Sequence, residues 1–217
     1  MLLSRLQDLI GGIYDVRVGY DVYDFLVTDR RRLPPAAHAG LAEEELIVAQ
    51  SADGAEVALS LYLDPALLER LANADPLVEL HGGNVADWWT ALEGVSHFLY
   101  LAWNAGHDKP VSLLELEMQA EVDKYVASYW LMRRQYPGHF PAELRRVLFE
   151  RTRIDPRLGR ERQRLYDQAS RYAARFCRRL ERRLTDAVHG EREVLAELRR
   201  FYRLGNARKR AHIERTS

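Results

Sequence analysis

The sequence has few of the residues that usually indicate a function or a cellular location. It contains one cysteine, Cys177, so an internal disulfide is impossible, and it has no run of 18 or more apolar residues that could span a membrane. Residues 1–10 include Arg5 and Asp8 and lack the apolar run of a secretory signal. These absences predict a protein of a reducing, bacterial cytoplasm with no membrane partner.

Short catalytic signatures are also absent. The chain has no Gly-x-Ser-x-Gly elbow, no His-Glu-x-x-His motif and no phosphate-binding P-loop. Hydrophobic residues nevertheless make up 47% of the 217 residues and aromatic residues 10%, enough for a substantial core. The composition therefore predicts a globular protein, favours a non-enzymatic role and gives no reason to expect a cofactor.

Lysine is scarce, and the formal net charge of zero conceals a strong asymmetry. Residues 1–140 hold 10 basic against 21 acidic residues, whereas residues 141–217 hold 22 basic against 11 acidic residues. We predict an acidic α+β core region over 1–140 and a basic helical region over 141–217, as two units or as one continuous domain. Tyr136-Pro137-Gly138 is the candidate hinge. Such asymmetry indicates nucleic acid, an acidic partner or self-association.

Sequence periodicity near the N-terminus predicts one helix and a small sheet. Leucine and isoleucine spacing indicates a helix over 2–13 that ends at Gly11-Gly12. Alternation of apolar and polar residues from 14 to 22 predicts a strand, with 25–27 as its extension, and further strands are expected over 45–50 and 55–63. Asp53-Gly54 is a tight-turn signal between the last two. Together these patterns predict a small antiparallel sheet.

From Asp64 onward the chain has the pattern of successive helices. Asp64-Pro65 and Asp155-Pro156 each combine an N-cap residue with a first-turn proline. The predicted helices span residues 65–73, 85–105, 111–135, 141–150, 156–188 and 191–205. The fold class is therefore predicted to be α+β, mainly α, with the small antiparallel sheet near the N-terminus packed with a helical bundle.

Four residues on two of these helices form the candidate catalytic set. Glu93 and His97 are four residues apart on one helix, and Glu117 and Glu121 repeat that spacing on the next. If the helices pack antiparallel, the four side chains can converge as in bundle-core metal sites, which gives the alternative function of a metal-dependent enzyme. The Glu-x-x-His spacing of di-iron bundles is missing, so we expect instead a solvated face shared with Lys124 and no bound metal.

Three further features have both a functional and a structural interpretation. Ser112 and Glu115 match a helix capping box, which removes Glu115 from the candidate site. The motif His81-Gly82-Gly83-Asn84 either binds an anion at a helix N-terminus or forms a glycine turn in which Asn84 is the N-cap. Cys177 lacks the surroundings of a known nucleophile and is expected to be a small residue beside a helix core.

The most regular feature is a line of arginines on the helix predicted over 156–188. Six arginines fall within a sector of about 60° at 100° per residue, and apolar residues occupy the opposite face. These are Arg160, Arg164, Arg171, Arg175, Arg178 and Arg182, with Arg208, Lys209 and Arg210 as a basic cluster nearer the C-terminus. The pattern predicts a non-enzymatic binding protein that engages nucleic acid or an acidic protein surface, including that of a second copy in a homo-oligomer. An arginine-rich solvated face is the alternative.

Overall fold

The computed structural model describes residues 1–35, 42–50, 57–151, 156–185 and 190–215, which form a mainly helical α+β fold with a small sheet near the N-terminus. The strands are β1 (Leu26–Val27), β2 (Glu44–Gln50) and β3 (Val57–Leu63). The helices are α1 (Leu2–Tyr14), α2 (Pro65–Asn73), α3 (Val85–Ala105), α4 (Leu113–Gln135), α5 (Leu144–Arg146, continued by a π-helical turn over Val147–Arg151), α6 (Arg160–Thr185), α7 (Gly190–Tyr202) and α8 (Asn206–Glu214). None of the helices within these ranges is long and apolar enough to cross a membrane.

The sheet is mixed, whereas the sequence predicted an antiparallel one. β3 lies in the centre, with β2 antiparallel on one side, so that Glu44 is opposite Leu63. β1 is parallel to β3 on the other side, with Leu26 opposite Leu61. The chain thus passes from one edge of the sheet to the other before it returns through the centre. The predicted turn at Asp53-Gly54 lies outside the described residues.

The strand predicted over residues 14–22 is wrong, and a side chain of α1 explains why. Helix α1 continues through Gly11-Gly12 to Tyr14. The Gln7 amide donates a hydrogen bond to the carbonyl oxygen of Tyr20 (2.7 Å) and accepts one from the N–H of Val22 (2.8 Å). The backbone groups of this segment therefore form hydrogen bonds with a side chain of α1 instead of with a neighbouring strand.

The predicted helices are present, those over 65–73 and 85–105 with the predicted bounds and the others with shifted ends, and one helix was missed. Asp64 caps α2 by accepting a hydrogen bond from the N–H of Ala66 (2.8 Å), as its sequence pattern predicted. The helix predicted over 141–150 is instead a short helix with a π-helical turn, and that predicted over 156–188 begins at Arg160. The missed helix is α8, which follows α7 after a break at Leu204-Gly205.

One apolar core extends from Leu3 on α1 to Ile213 on α8 and includes residues on both sides of position 140. Helix α4 packs between α3 and α6, and α3 also covers β2 and β3. Helix α7 packs against α1, and Arg199 on α7 and Arg203 just after it donate hydrogen bonds to the C-terminal end of α1. Arg203 donates to the carbonyl oxygens of Tyr14 and Asp15, both at 3.0 Å. Arg199 also donates to that end of α1, to a carbonyl oxygen at 3.4 Å.

Candidate functional site

The four candidate side chains on α3 and α4 lie on facing parts of the two helices. His97 Nε2 is 3.6 Å from Glu117 Oε2. Glu93 and Glu121 are joined by Lys124, whose Nζ lies 2.5 Å from Glu93 Oε2 and 2.8 Å from Glu121 Oε1. Lys124 therefore bridges the two helices and is more than a neighbour on a solvated face.

A fifth acidic residue, Glu44 at the start of β2, reaches the same place and was not predicted. Glu44 Oε1 is 3.5 Å from His97 Nδ1. The approach depends on Gly94, because a Cβ atom there would lie 2.9 Å from Glu44 Cγ and 2.7 Å from a methyl group of Leu61. The glycine thus lets the sheet come close enough to α3 for Glu44 to contact His97.

We call Glu44, Glu93, His97, Glu117, Glu121 and Lys124 the carboxylate–histidine cluster. The side chains of His97 and Glu117 are each 7% exposed, and those of Glu44 and Lys124 are each 12% exposed. Glu93 is the most open of the six at 25%. Removal of charges from water costs several kcal/mol per ion, so a buried group of four carboxylates requires compensating positive charge.

Protonation of His97 and Lys124 supplies part of that compensation. Burial alone would lower the pKa of His97, but Glu117 and Glu44 outweigh burial and raise the pKa well above its usual value. Burial also opposes the charge on Lys124, yet Glu121 and Glu93 raise its pKa. Glu44 behaves differently, because burial raises the pKa of its carboxyl group. Perturbed titrations of this kind are concentrated at functional sites.

Two buried polar atoms in the cluster have no hydrogen-bond partner. They are Glu44 Oε1 and His97 Nε2. The contacts of these atoms at 3.5 and 3.6 Å are charge pairs longer than hydrogen bonds. Buried polar atoms almost always have a hydrogen-bond partner. These two atoms therefore mark the part of the cluster where a bound ligand could supply a missing partner.

A second buried network lies deeper between α1, α3, α4 and α8 and was missed by sequence reasoning. Asp123 accepts hydrogen bonds from Tyr14, Ser96 (2.5 Å) and Gln119 (2.7 Å). The oxygen of the Gln119 amide accepts a hydrogen bond from Lys209, which is fully buried. Lys209 therefore does not belong to the basic surface in which the sequence placed it.

Glu115 belongs to this interior as well, and its assignment to a capping box was only half right. Ser112 does cap α4, since its hydroxyl oxygen accepts from the N–H of Glu115 (3.3 Å). The Glu115 carboxylate, however, does not return to Ser112. It accepts from the hydroxyl of Tyr100 (2.5 Å) and from the N–H of Asn206 (3.0 Å), and so ties α4 to the start of α8.

The six arginines predicted to form a line on α6 are all exposed, and we call them the arginine ridge: Arg160, Arg164, Arg171, Arg175, Arg178 and Arg182. Within the described ranges only Arg171 has an acidic partner, Asp167 at 3.0 Å. Of the cluster nearer the C-terminus, Arg208 is exposed and Arg210 donates to the hydroxyl of Tyr172 (3.1 Å). The ridge is thus a largely unneutralised positive surface.

The remaining two candidates, the motif over residues 81–84 and Cys177, have structural explanations. In the motif His81-Gly82-Gly83-Asn84, the N–H of Gly83 donates to the ring of His81 (3.0 Å). Asn84 precedes α3, as predicted, but its side chain bonds to the preceding turn, accepting from the N–H of His81 and donating to the carbonyl oxygens of Ala74 and Glu79. Cys177 is buried, and burial raises the pKa of its thiol.

Comparisons with known proteins assign no role to either site. No family profile, curated protein sequence or solved structure matches the chain. Function must therefore be inferred from the geometry and charge of the chain itself.

Proposed function

We propose that this chain is a non-enzymatic binding protein whose arginine ridge engages a polyanion. The observation that carries the proposal is the exposure of all six ridge arginines, five of them with no acidic partner in the described part of the chain. The polyanion is a nucleic acid backbone or an acidic protein surface, and the latter includes residues 1–140 of a second copy.

The spacing of the ridge arginines makes their charges repel one another when no partner is bound. Successive arginines are three or four residues apart at Arg160–Arg164, Arg171–Arg175 and Arg175–Arg178. Like charges at this spacing cost a few tenths of a kcal/mol per pair. A solvated face normally interleaves acidic residues that remove this cost, and the ridge has only Asp167 in that role. A bound polyanion would offset the repulsion.

The side-chain type and the length of the ridge suit an extended anion. The guanidinium group presents a planar fork of donors that matches phosphate and carboxylate oxygens in pairs. From Arg160 to Arg182 the ridge extends over about 33 Å of helix at 1.5 Å per residue. If the partner is nucleic acid, binding should be largely independent of base sequence, because phosphate contacts position a protein without specifying a sequence.

The proposal is tested by the salt dependence of binding to duplex DNA and to RNA. Each phosphate neutralised on duplex DNA contributes about −0.9 to the slope of log K against log salt. The triple variant Arg171→Gln, Arg175→Gln, Arg178→Gln should flatten that slope by about 2.7. The control is a second triple variant of equal net charge at scattered exposed positions, namely Arg17→Gln, Arg134→Gln and Arg192→Gln. It should keep nearly the wild-type slope.

The outcomes separate the two kinds of partner. Salt-sensitive binding that is lost in the ridge variant but not in the scattered variant supports nucleic acid. If wild-type protein binds no DNA or RNA, the ridge variant should instead break up an oligomer in sedimentation experiments or release an acidic partner protein. If the two triple variants behave alike in every assay, the ridge is a solvated face and the proposal is wrong.

A further inference from the structure

We propose that Glu44, Glu93 and His97 bind a divalent first-row transition-metal ion, with Glu117 fixing the orientation of the histidine ring. This site is independent of the arginine ridge. One potential ligand atom from each of Glu44, Glu93 and His97 lies within 4.8 Å of the others. The three residues come from two elements, β2 and α3, that Gly94 allows to approach closely.

The Glu44–His97 pair already has the spacing of two ligands on one metal ion. Two ligand atoms about 2.0–2.1 Å from a tetrahedral ion are separated by roughly 3.4 Å. Glu44 Oε1 and His97 Nδ1 are 3.5 Å apart. The Glu93 ligand atom lies within 4.8 Å of the other two, so a side-chain adjustment completes the set, and at 25% exposure the Glu93 side chain is the most open of the three.

One of the two unsatisfied atoms, Glu44 Oε1, lies at the proposed metal position, and the other, His97 Nε2, faces Glu117. Glu44 Oε1 is buried without a hydrogen-bond partner, although it is the oxygen that faces His97. The His97 side chain is more than nine-tenths buried, and its Nε2 also lacks a hydrogen bond. An ion at Nδ1 would satisfy the Glu44 oxygen and would leave Nε2–H to donate to Glu117.

Glu117 has the position expected of a residue that supports a metal-binding histidine. Histidine ligands commonly donate the other ring N–H to a carboxylate, which fixes the tautomer and the ring orientation. Glu117 Oε2 lies 3.6 Å from His97 Nε2, on the opposite side of the ring from Glu44. A small rotation of either side chain would shorten this contact to a hydrogen bond.

The chemical types of the three ligands indicate which class of ion they bind. Two carboxylates and one imidazole suit Zn²⁺, Mn²⁺ and Fe²⁺, whereas Ca²⁺ and Mg²⁺ prefer oxygen ligands alone. The two negative charges of Glu44 and Glu93 match a dication. Lys124 opposes binding, because its ammonium group holds one oxygen of Glu93 at 2.5 Å and adds positive charge nearby.

The test measures Zn²⁺ and Mn²⁺ binding to chelator-treated protein by titration calorimetry. We expect one equivalent of Zn²⁺, with affinity reduced at least about 100-fold by His97→Gln or Glu44→Gln, and by about 10–100-fold by Glu117→Gln. His139→Gln and Glu193→Gln are matched controls at exposed positions and should bind as wild type does. Circular dichroism verifies the fold of each variant.

Lys124→Gln should change the metal affinity in the opposite direction. Removal of the competing ammonium group should tighten metal binding, whereas a purely structural ion-pair cluster gives no such gain. On wild-type protein, paramagnetic Mn²⁺ should broaden the amide signals of residues 44, 93 and 97 first. Absence of Zn²⁺ and Mn²⁺ binding, broadening centred elsewhere, or equal affinity in His97→Gln and His139→Gln would each overturn the proposal.

Discussion

Replacement of Lys209 by methionine should change how the stability of the protein depends on pH. The Lys209 ammonium group is fully buried and lies 4.5 and 4.7 Å from the ring centres of Tyr100 and Phe201. Burial lowers its pKa to about 7, although Glu115 and Asp123 act in the opposite direction. The charged form is thus poorly tolerated in the folded protein.

The sign and the size of the effect follow from the two pKa values. An unfolded lysine has a pKa near 10.5, so between pH 7 and pH 9 the unfolded chain holds a proton that the folded chain has released. The free energy of unfolding therefore rises with pH in this window. One pKa unit corresponds to about 1.4 kcal/mol, and half-protonation of the folded amine at pH 7 reduces the expected rise between pH 7 and 9 to roughly 2 kcal/mol.

Urea unfolding at pH 7, 8 and 9 measures this rise in the wild type and in Lys209→Met. Subtraction of the two curves cancels the contributions of Cys177 and the buried tyrosines, which both proteins share. Lys109→Met, at an exposed position, is the control and should keep the wild-type slope. Parallel curves for the wild type and Lys209→Met would refute the reasoning, because they would show that Lys209 titrates alike in both states.

Two further predictions concern packing and thiol reactivity. Gly94→Ala should destabilise the protein by up to about 2 kcal/mol in urea unfolding, because its Cβ would overlap Leu61 and Glu44 by more than the gain in helix propensity offsets. Gly12→Ala, within α1 and with nothing within 4 Å of the added Cβ beyond the neighbouring backbone of its own helix, should instead stabilise by up to about 1 kcal/mol, and a loss there would contradict the packing argument. Cys177 should react with an aromatic disulfide reagent only as fast as the protein unfolds, since the thiol is buried and its raised pKa disfavours the thiolate. Rapid reaction of native protein would contradict its burial, and denatured protein supplies the full-reactivity control.

The long helices were predictable because each one carries a sustained apolar period, and some of them also have a recognisable start. The residues Asp64 and Ser112 both act as N-caps where the sequence placed them. The prediction of a strand over 14–22 was wrong because an alternating pattern does not reveal which group forms hydrogen bonds with the backbone. Gln7 does so from α1, and no local feature of residues 14–22 indicates this.

The candidate sites were predictable only where one helix determined them. The arginine ridge depends on the periodicity of α6 alone, and its exposure follows from the apolar face opposite to it. Glu44 was missed because it lies in a run of three acids, although strand alternation places it on the face of Leu46, which packs against the core. Lys209 was missed because its basic neighbours concealed a helical spacing that it shares with His212 and Ile213, both buried.

The bonds that complete the end of α1 place a condition on the order of folding. Arg199 and Arg203 lie 186 to 189 residues after the carbonyl groups that they bind. During synthesis these carbonyl groups cannot reach their arginine partners until residues 199–203 have also left the ribosome. Contacts of such long sequence separation form slowly. The C-terminal end of α1 therefore reaches its final state late, although the helix itself is a local structure.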